Sequence, residues 1–222
     1  MIITIDGPAG TGKSTVAQDV AERIGFDFLD TGAMYRAVGL EAIRRGANLQ
    51  NARELASVVR HCAIRFDWTH RPPALQLNDE PANHLLRTAE VTRAASMVAA
   101  VPAVREQLVR QQQQIGREHG KLLTEGRDQG TVVFPDAELK LYLDATPEER
   151  ARRRVAQLRD RGEVLDYAAV LAEIVERDQR DAGRSVGPLA VPGDAVVIDT
   201  TSLTLEQVVD RIVQVARERG VA

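Results

Sequence analysis

The hydrophobic pattern changes period several times along the chain. Residues 2–5 are a short apolar, β-branched run ahead of a glycine-bearing segment, which predicts a buried strand feeding a loop. From Gly12 onward Val16, Ala17, Val20, Ala21 and Ile24 recur at helical spacing, and Gly25 is placed to end that helix. Residues 26–29 predict a second strand, 30–32 a turn, and 33–45 a helix closed by Gly46. Residues 63–68 and 74–78 read as strands joined by a Pro-Pro turn, a small antiparallel insertion within about 60–87. A helical stretch from Thr88 to about Arg117 follows, its four-glutamine run read as an exposed helical face. Strands at 121–124, 139–143 and 195–199 then alternate with helices starting at Pro147, about Tyr167 and Leu205. Thr146 with Glu149 and Thr204 with Gln207 have capping-box spacing, and Pro147 suits a first helical position. Five buried strands alternating with helices predict an α/β fold, a parallel sheet covered on both faces, with ligands at the carboxyl ends of its strands.

Composition narrows the class. A chain of 222 residues suits one folding unit with at most a small appended lobe, and 44% hydrophobic with 27% charged residues is ordinary for a soluble globular protein. A net charge of −3 provides no global basic field for a nucleic-acid polymer. Three lysines leave 26 arginines among the 29 basic residues. Guanidinium groups suit phosphate, yet genomic composition explains most of them, so only arginines inside motifs are informative. Cys62 stands alone, which excludes an internal disulfide, fits a reducing cytoplasmic compartment, and reads as a small hydrophobe before a nucleophile. No basic stretch leads into a long apolar segment and no run has membrane-spanning length, so the chain is expected to start with its first strand and to avoid membranes. His61, His70, His84 and His119 lack ligand spacing, so no metal is expected beyond Mg²⁺ carried with a nucleotide.

Gly7-Pro8-Ala9-Gly10-Thr11-Gly12-Lys13-Ser14 fits G-x-x-x-x-G-K-[ST] between a predicted strand and helix. Glycines let backbone N–H groups turn inward around phosphate oxygens, and the helix N-terminus adds partial positive charge. Lys13 can reach the β- and γ-phosphates of ATP, Ser14 offers a hydroxyl to Mg²⁺, and Thr15 adds a contact near the α-phosphate. The competing reading is a glycine turn that happens to carry Lys and Ser; the flanking strand and helix disfavour it. The loop alone does not choose between GTPases, ATPase motors and small-molecule kinases.

The acceptor must come from elsewhere. Residues 29–36, Leu-Asp-Thr-Gly-Ala-Met-Tyr-Arg, place a hydroxyl and an arginine at the start of a helix just past the second strand. This segment resembles the D-[ST]-G-x-x-Y-R motif of bacterial cytidylate kinases. The resemblance continues through residues 94–105, through Glu125-Gly126-Arg127-Asp128-Gln129-Gly130-Thr131-Val132-Val133-Phe134-Pro135-Asp136, and through residues 176–184 with Pro188-Leu189.

It implies a P-loop three-layer fold whose core is about 1–30, 118–150 and 186–222, with a monophosphate-binding lobe at about 31–117 and a helical lid at about 151–185. It further implies that Thr31, Arg36 and Arg127 hold the acceptor phosphate and Arg184 approaches the phosphates from the lid. Ser96, Arg105 and Asp128 would read cytosine, whose amine donor beside ring acceptors suits a carboxylate, an arginine and a hydroxyl. Arg177 and Asp181 would hold the ribose. Glu125, where Asp is expected, and Gln129, where an apolar residue is expected, depart from the pattern.

Arg150, Arg152, Arg153, Arg154, Arg159 and Arg161 read either as the polar side of a helix or as a lid with one or two ATP contacts, with Arg153 and Arg154 as candidates. Asp181 and Ser96, apart from the resemblance, also read as ordinary helix-surface residues.

The expected reaction is transfer of the γ-phosphoryl group of ATP to CMP or dCMP by a monomer, with Lys13, Mg²⁺, Arg127 and Arg184 converging on the transferring group after closure excludes water. Rivals are a kinase of the same fold acting on AMP, UMP, thymidylate or shikimate, and a nucleotide-dependent switch. The base-reading trio disfavours the former. The lack of an N-K-x-D motif and the acceptor segment disfavour the latter.

Overall fold

The computed structural model describes residues 1–160, 162 and 165–222; Arg161 and part of the expected lid lie outside the described residues. In chain order the elements are β1 (Ile2–Asp6), α1 (Lys13–Ile24), β2 (Asp27–Asp30), α2 (Thr31–Arg44), α3 (Ala52–Arg60), β3 (Ile64–Asp67), β4 (Ala74–Leu77), β5 (Glu80–Pro81), α4 (Ala89–Val98), α5 (Pro102–Glu118), β6 (Leu122–Gly126), a π-helical turn (Gln129–Val133), β7 (Leu139–Asp144), α6 (Pro147–Arg159), α7 (Tyr167–Ala182), β8 (Val196–Asp199) and α8 (Leu205–Glu218). They form two compact units, Met1–Asp27 with Lys121–Ala222, and Phe28–Gly120.

The central sheet has five parallel strands in the order β2-β6-β1-β7-β8. β1 lies between β6 and β7, so Ile3 and Ile5 lose all exposure and the chain leaves the middle of the sheet directly into the glycine loop. Burying each such side chain is worth about 1.5–3 kcal/mol, which makes β1 a stiff base for that loop. β8 departs from the expected row of buried strands: as an edge strand it pairs only with β7 and leaves Val197 54% exposed. α8 opens with a complete capping box, Thr204 with Gln207. At α6 only half of the device forms, because the Glu149 side chain turns to Arg152 and Arg153 while Thr146 still accepts from Glu149 N.

The second unit differs from expectation in five places. Residues 30–32 are a cap and first turn rather than a separate turn: Asp30 accepts from Ala33 N at 2.8 Å, so α2 already begins at Thr31. α3 is an additional helix, capped by Asn51 and anchored by buried Leu55, Val58 and Val59. The insertion is a three-stranded antiparallel sheet, with β5 added to the two expected strands.

The single helix expected over 88–117 is two, α4 and α5, because Pro102 lacks an N–H and disfavours a helical residue before it. Nor is the glutamine run simply an exposed face. Gln112 is 1% exposed, and Gln111 Nε2 donates to Ile64 O at 2.8 Å, one turn after Gln107 Nε2 donates to Val59 O at 2.8 Å. These amides donate to carbonyls at the end of α3 and the start of β3, tying α5 to both elements.

Candidate active site

The glycine loop is shaped by close approach. A Cβ on Gly7, at φ 149°, would lie 2.1 Å from Leu143 O, so no side chain fits there, and Gly12 adopts a left-handed φ of 86° just before α1. Lys13 is 5% exposed, and its Nζ donates to Pro8 O at 2.5 Å and Thr11 Oγ1 at 3.2 Å. Burial, and next the Arg127 charge, hold the Lys13 amine well below its usual range, opposed by Glu125 and Asp6. Ser14 Oγ donates to Glu125 Oε1 at 2.7 Å, across from the start of α1 to β6. The departure at Glu125 therefore still delivers a carboxylate to the P-loop serine.

The segment after β6 is pinned from below. Both oxygens of Asp6 accept backbone N–H groups, from Gln129 at 2.8 Å and Gly130 at 2.7 Å, and so cap the π-helical turn. Gln129, 1% exposed, accepts from Thr124 Oγ1 at 3.0 Å, so the second departure is a buried polar contact rather than an apolar one. Arg127 donates from Nε to Asp181 Oδ2 at 2.9 Å, and Arg184 donates to Asp181 Oδ1. Asp181 is 1% exposed, hence no ordinary surface residue. Burial pushes its pKa up, but Arg127, Arg184 and Arg177 outweigh that and lower it. One carboxylate thus aligns two arginines, with Arg177 close enough to act electrostatically on both Asp181 and Lys13. Asp128 is 3% exposed.

Among the α6 arginines the two readings divide residue by residue. Arg150 is buried, 3% exposed, and donates to Ala145 O, Ala9 O and Asp178, which corrects any reading of it as the polar side of a helix. Arg152 and Arg159 are exposed. Arg153 donates to Glu149 and to Thr200, and Arg154 is half-buried. Ala9, expected among the ATP contacts, has its N–H directed at Asp178 and its carbonyl at Arg150.

In the second unit, Arg36 Nη2 donates to Asp30 Oδ2 at 2.8 Å beside buried Thr31. The cap of α2 therefore also orients the arginine one turn on. Ser96 is 4% exposed on α4. Arg105, 1% exposed near the start of α5, donates from Nη1 to Ala99 O at 3.2 Å and lies 5.4 Å from the centre of the Tyr35 ring, a cation–π distance. α2 and α4 pack closely enough that a Cβ on Gly39 would lie 3.0 Å from Ala95 N.

The family model for cytidylate kinase matches residues 3–218. The chain belongs to the cytidylate kinase family. Relatives named cytidylate kinase from Enterobacter sp. (strain 638) and Klebsiella pneumoniae (strain 342) are 45% and 44% identical over 218 residues, covering 98% of this chain and 96% of each relative. A solved structure of an uncharacterized protein from Eubacterium ventriosum ATCC 27560 superposes with a TM-score of 0.52 over 98% of both chains at 14% identity, a likeness of fold alone. Membership of the cytidylate kinase family makes the chain a nucleoside monophosphate kinase, and the geometry adds residues that motif reading left without a role. Asp6, Arg150 and Asp178 are the main ones. Their sequence signal was faint: a charged residue at a strand end, one arginine among six, and an aspartate three positions before Asp181.

Proposed function

We propose that the chain transfers the γ-phosphoryl group of ATP to CMP or dCMP, giving ADP and CDP or dCDP, as a Mg²⁺-dependent monomer of the cytoplasm. Among the described residues no helix is long and apolar enough to cross a membrane, which is consistent with that setting. The observation that carries the reading is the pairing of a buried P-loop lysine with an arginine aligned by Asp181, since Lys13 and Arg127 already feel each other's charge. Two cations so placed, one buried and one half-buried, repel, and phosphate oxygens are the ligands that relieve them.

Phosphoryl transfer needs in-line positioning and charge neutralisation more than covalent chemistry. Backbone N–H groups of residues 7–15 and Lys13 take the ATP phosphates, the anion also restoring the Lys13 ammonium that burial disfavours. Thr31, Arg36, Arg127 and Arg184 take the acceptor phosphate. Ser96, Arg105 and Asp128 read cytosine, while Arg177 and Asp181 take the ribose, Asp181 also aligning Arg127 and Arg184. Arg153 and Arg154 are assigned to the ATP side. No general base is assigned.

The donor set at Ser14 and Glu125, a hydroxyl and a carboxylate 2.7 Å apart, fits a hard cation bound mainly by phosphate oxygens and water. Among the described residues no group of three or more His, Cys, Asp or Glu side chains forms a cage of its own. Ser14 and Glu125 would hold Mg²⁺ brought in with ATP, and the ion would supply charge neutralisation at the phosphates.

The test is ADP formation with and without CMP, in the wild type and in Lys13→Ala. Turnover should depend on CMP, and Lys13→Ala should lower kcat by roughly 10²-fold or more with an unchanged circular-dichroism spectrum. CMP-independent hydrolysis, or wild-type turnover in the variant, would overturn the assignment.

A further inference from the structure

The backbone of the phosphate loop is tied at one point to the helices that follow β7. Arg150, on the first turn of α6, has 3% exposure and uses its guanidinium as a three-way clamp: Nε donates to Ala145 O at 2.9 Å, and Nη1 donates to Ala9 O at 2.9 Å and Asp178 Oδ2 at 2.6 Å. Asp178, on α7, completes the circuit by accepting from Ala9 N at 3.4 Å through its other oxygen. Both polar backbone atoms of Ala9 are thus held by one ion pair. The next residue, Gly10, has φ 83°, and a Cβ built on it would stand 3.2 Å from Arg150 Cβ, so the arginine's stem also backs the turn of the loop. Neither Arg150 nor Asp178 belongs to the groups assigned above to ATP or CMP.

We propose that Arg150 and Asp178 are positioning residues for the donor site, acting through Ala9 to fix the orientation of the loop on which the ATP phosphates bind. This rests on the assignment of ATP to that loop. A phosphate cradle works when its N–H groups are already aimed at the site, because reorienting a flexible glycine loop on binding costs conformational entropy that the ligand must supply. Glycines at positions 7, 10 and 12 make this loop permissive by itself. The clamp removes that freedom at its midpoint. Only a guanidinium can do so, since its fixed fork addresses acceptors on three separate segments while a lysine ammonium on a flexible stem loses that geometry.

The experiment is equilibrium titration calorimetry of the wild type and the Arg150→Lys, Arg150→Met, Asp178→Asn and Arg150→Met/Asp178→Asn proteins, with ATP and CMP as separate ligands, alongside KM for each. The expected result is ATP binding about 10-fold weaker in Arg150→Met and in Asp178→Asn, as for loss of hydrogen bonds to a charged group. Arg150→Lys should recover only part of that loss. CMP affinity should stay within about 2-fold, and the double variant should be no weaker for ATP than the weaker single, because the pair acts as one unit. Asp178, 21% exposed, accepts a near-isosteric change, so Asp178→Asn decides the matter if Arg150→Met does not fold.

The proposal is overturned if folded variants bind ATP as the wild type does, if ATP and CMP weaken equally, or if the single losses multiply in the double variant. Wild-type ATP binding without CMP-dependent turnover would instead count against the proposed function and leave the clamp standing.

Discussion

Asp6 ends β1 with no exposed surface, and its two oxygens accept the N–H groups of Gln129 and Gly130. Burial pushes its pKa up to about 6, against the two backbone hydrogen bonds and Lys13, with Asp128 adding to the rise. The folded state therefore holds this proton more tightly than the unfolded chain does. Between about pH 4 and pH 6 the native protein binds more protons than the unfolded one, so this group's contribution to stability falls as pH rises through that window, by on the order of 3 kcal/mol in total. Asp6→Asn should remove that slope, while losing one of the two accepted hydrogen bonds, since an amide has a single acceptor oxygen. Urea unfolding of both proteins at intervals from pH 4 to pH 7 measures it. Parallel profiles would show that Asp6 is not the buried acid described here. Lys13 and Ser14 were legible in the sequence because their motif is eight consecutive residues. Asp6 and Arg150 were not, because their partners lie 123 and 141 positions away and nothing local marks the contact.

Helix boundaries set what each element presents. α2 carries Thr31 and Arg36, α4 carries Ser96, and the two pack against each other at Gly39. Because the nearest atoms to a built Cβ are backbone of α4, a larger residue cannot be absorbed by a side-chain rotation. Gly39→Val should cost about 1–3 kcal/mol and shift α4 relative to α2, raising KM for CMP several-fold while KM for ATP holds. Steady-state kinetics with each substrate varied in turn checks this; an unchanged KM for CMP in a destabilised variant would separate the packing from acceptor recognition.

At α8, Thr204→Ala should cost about 1 kcal/mol, or roughly 2–4 °C in Tm, without touching either KM, as read by thermal unfolding. The sequence marked α8 and α6 by their caps, and β1 by its β-branched run. α3 was missed although Leu55, Val58 and Val59 have helical spacing, and the break between α4 and α5 lay in the single residue Pro102. The buried Gln112 and the inward bond of Gln111 on α5 were invisible to a pattern that treats every polar side chain as solvent-facing.

At the scale of the molecule, the alternation of strands and helices was enough to predict a parallel five-stranded sheet, because helices must cover both faces of such a sheet. The acceptor was a different matter. Thr31, Arg36, Ser96 and Arg105 belong to one unit, and Arg127, Asp128, Arg177, Asp181 and Arg184 to the other. No hydrophobic periodicity could have grouped residues so far apart along the chain; their grouping came from the order of motifs and belongs to the proposed function. What the geometry contributes is the partner that withdraws several of these charges from solvent: Asp30 holds Arg36, Asp181 holds Arg127 and Arg184, and Arg105 packs on Tyr35. Under the proposed function, such pre-aligned groups would discriminate through unpaired polar atoms left behind by the wrong base.

The most direct measurement is coupled-assay turnover with ATP and Mg²⁺ against CMP, dCMP, UMP, AMP, GMP and dTMP at equal concentration. The account predicts the highest kcat/KM for CMP and dCMP. Preference for a purine nucleotide or for thymidylate would leave the phosphate loop in place and contradict the assignment of Ser96, Arg105 and Asp128 to cytosine.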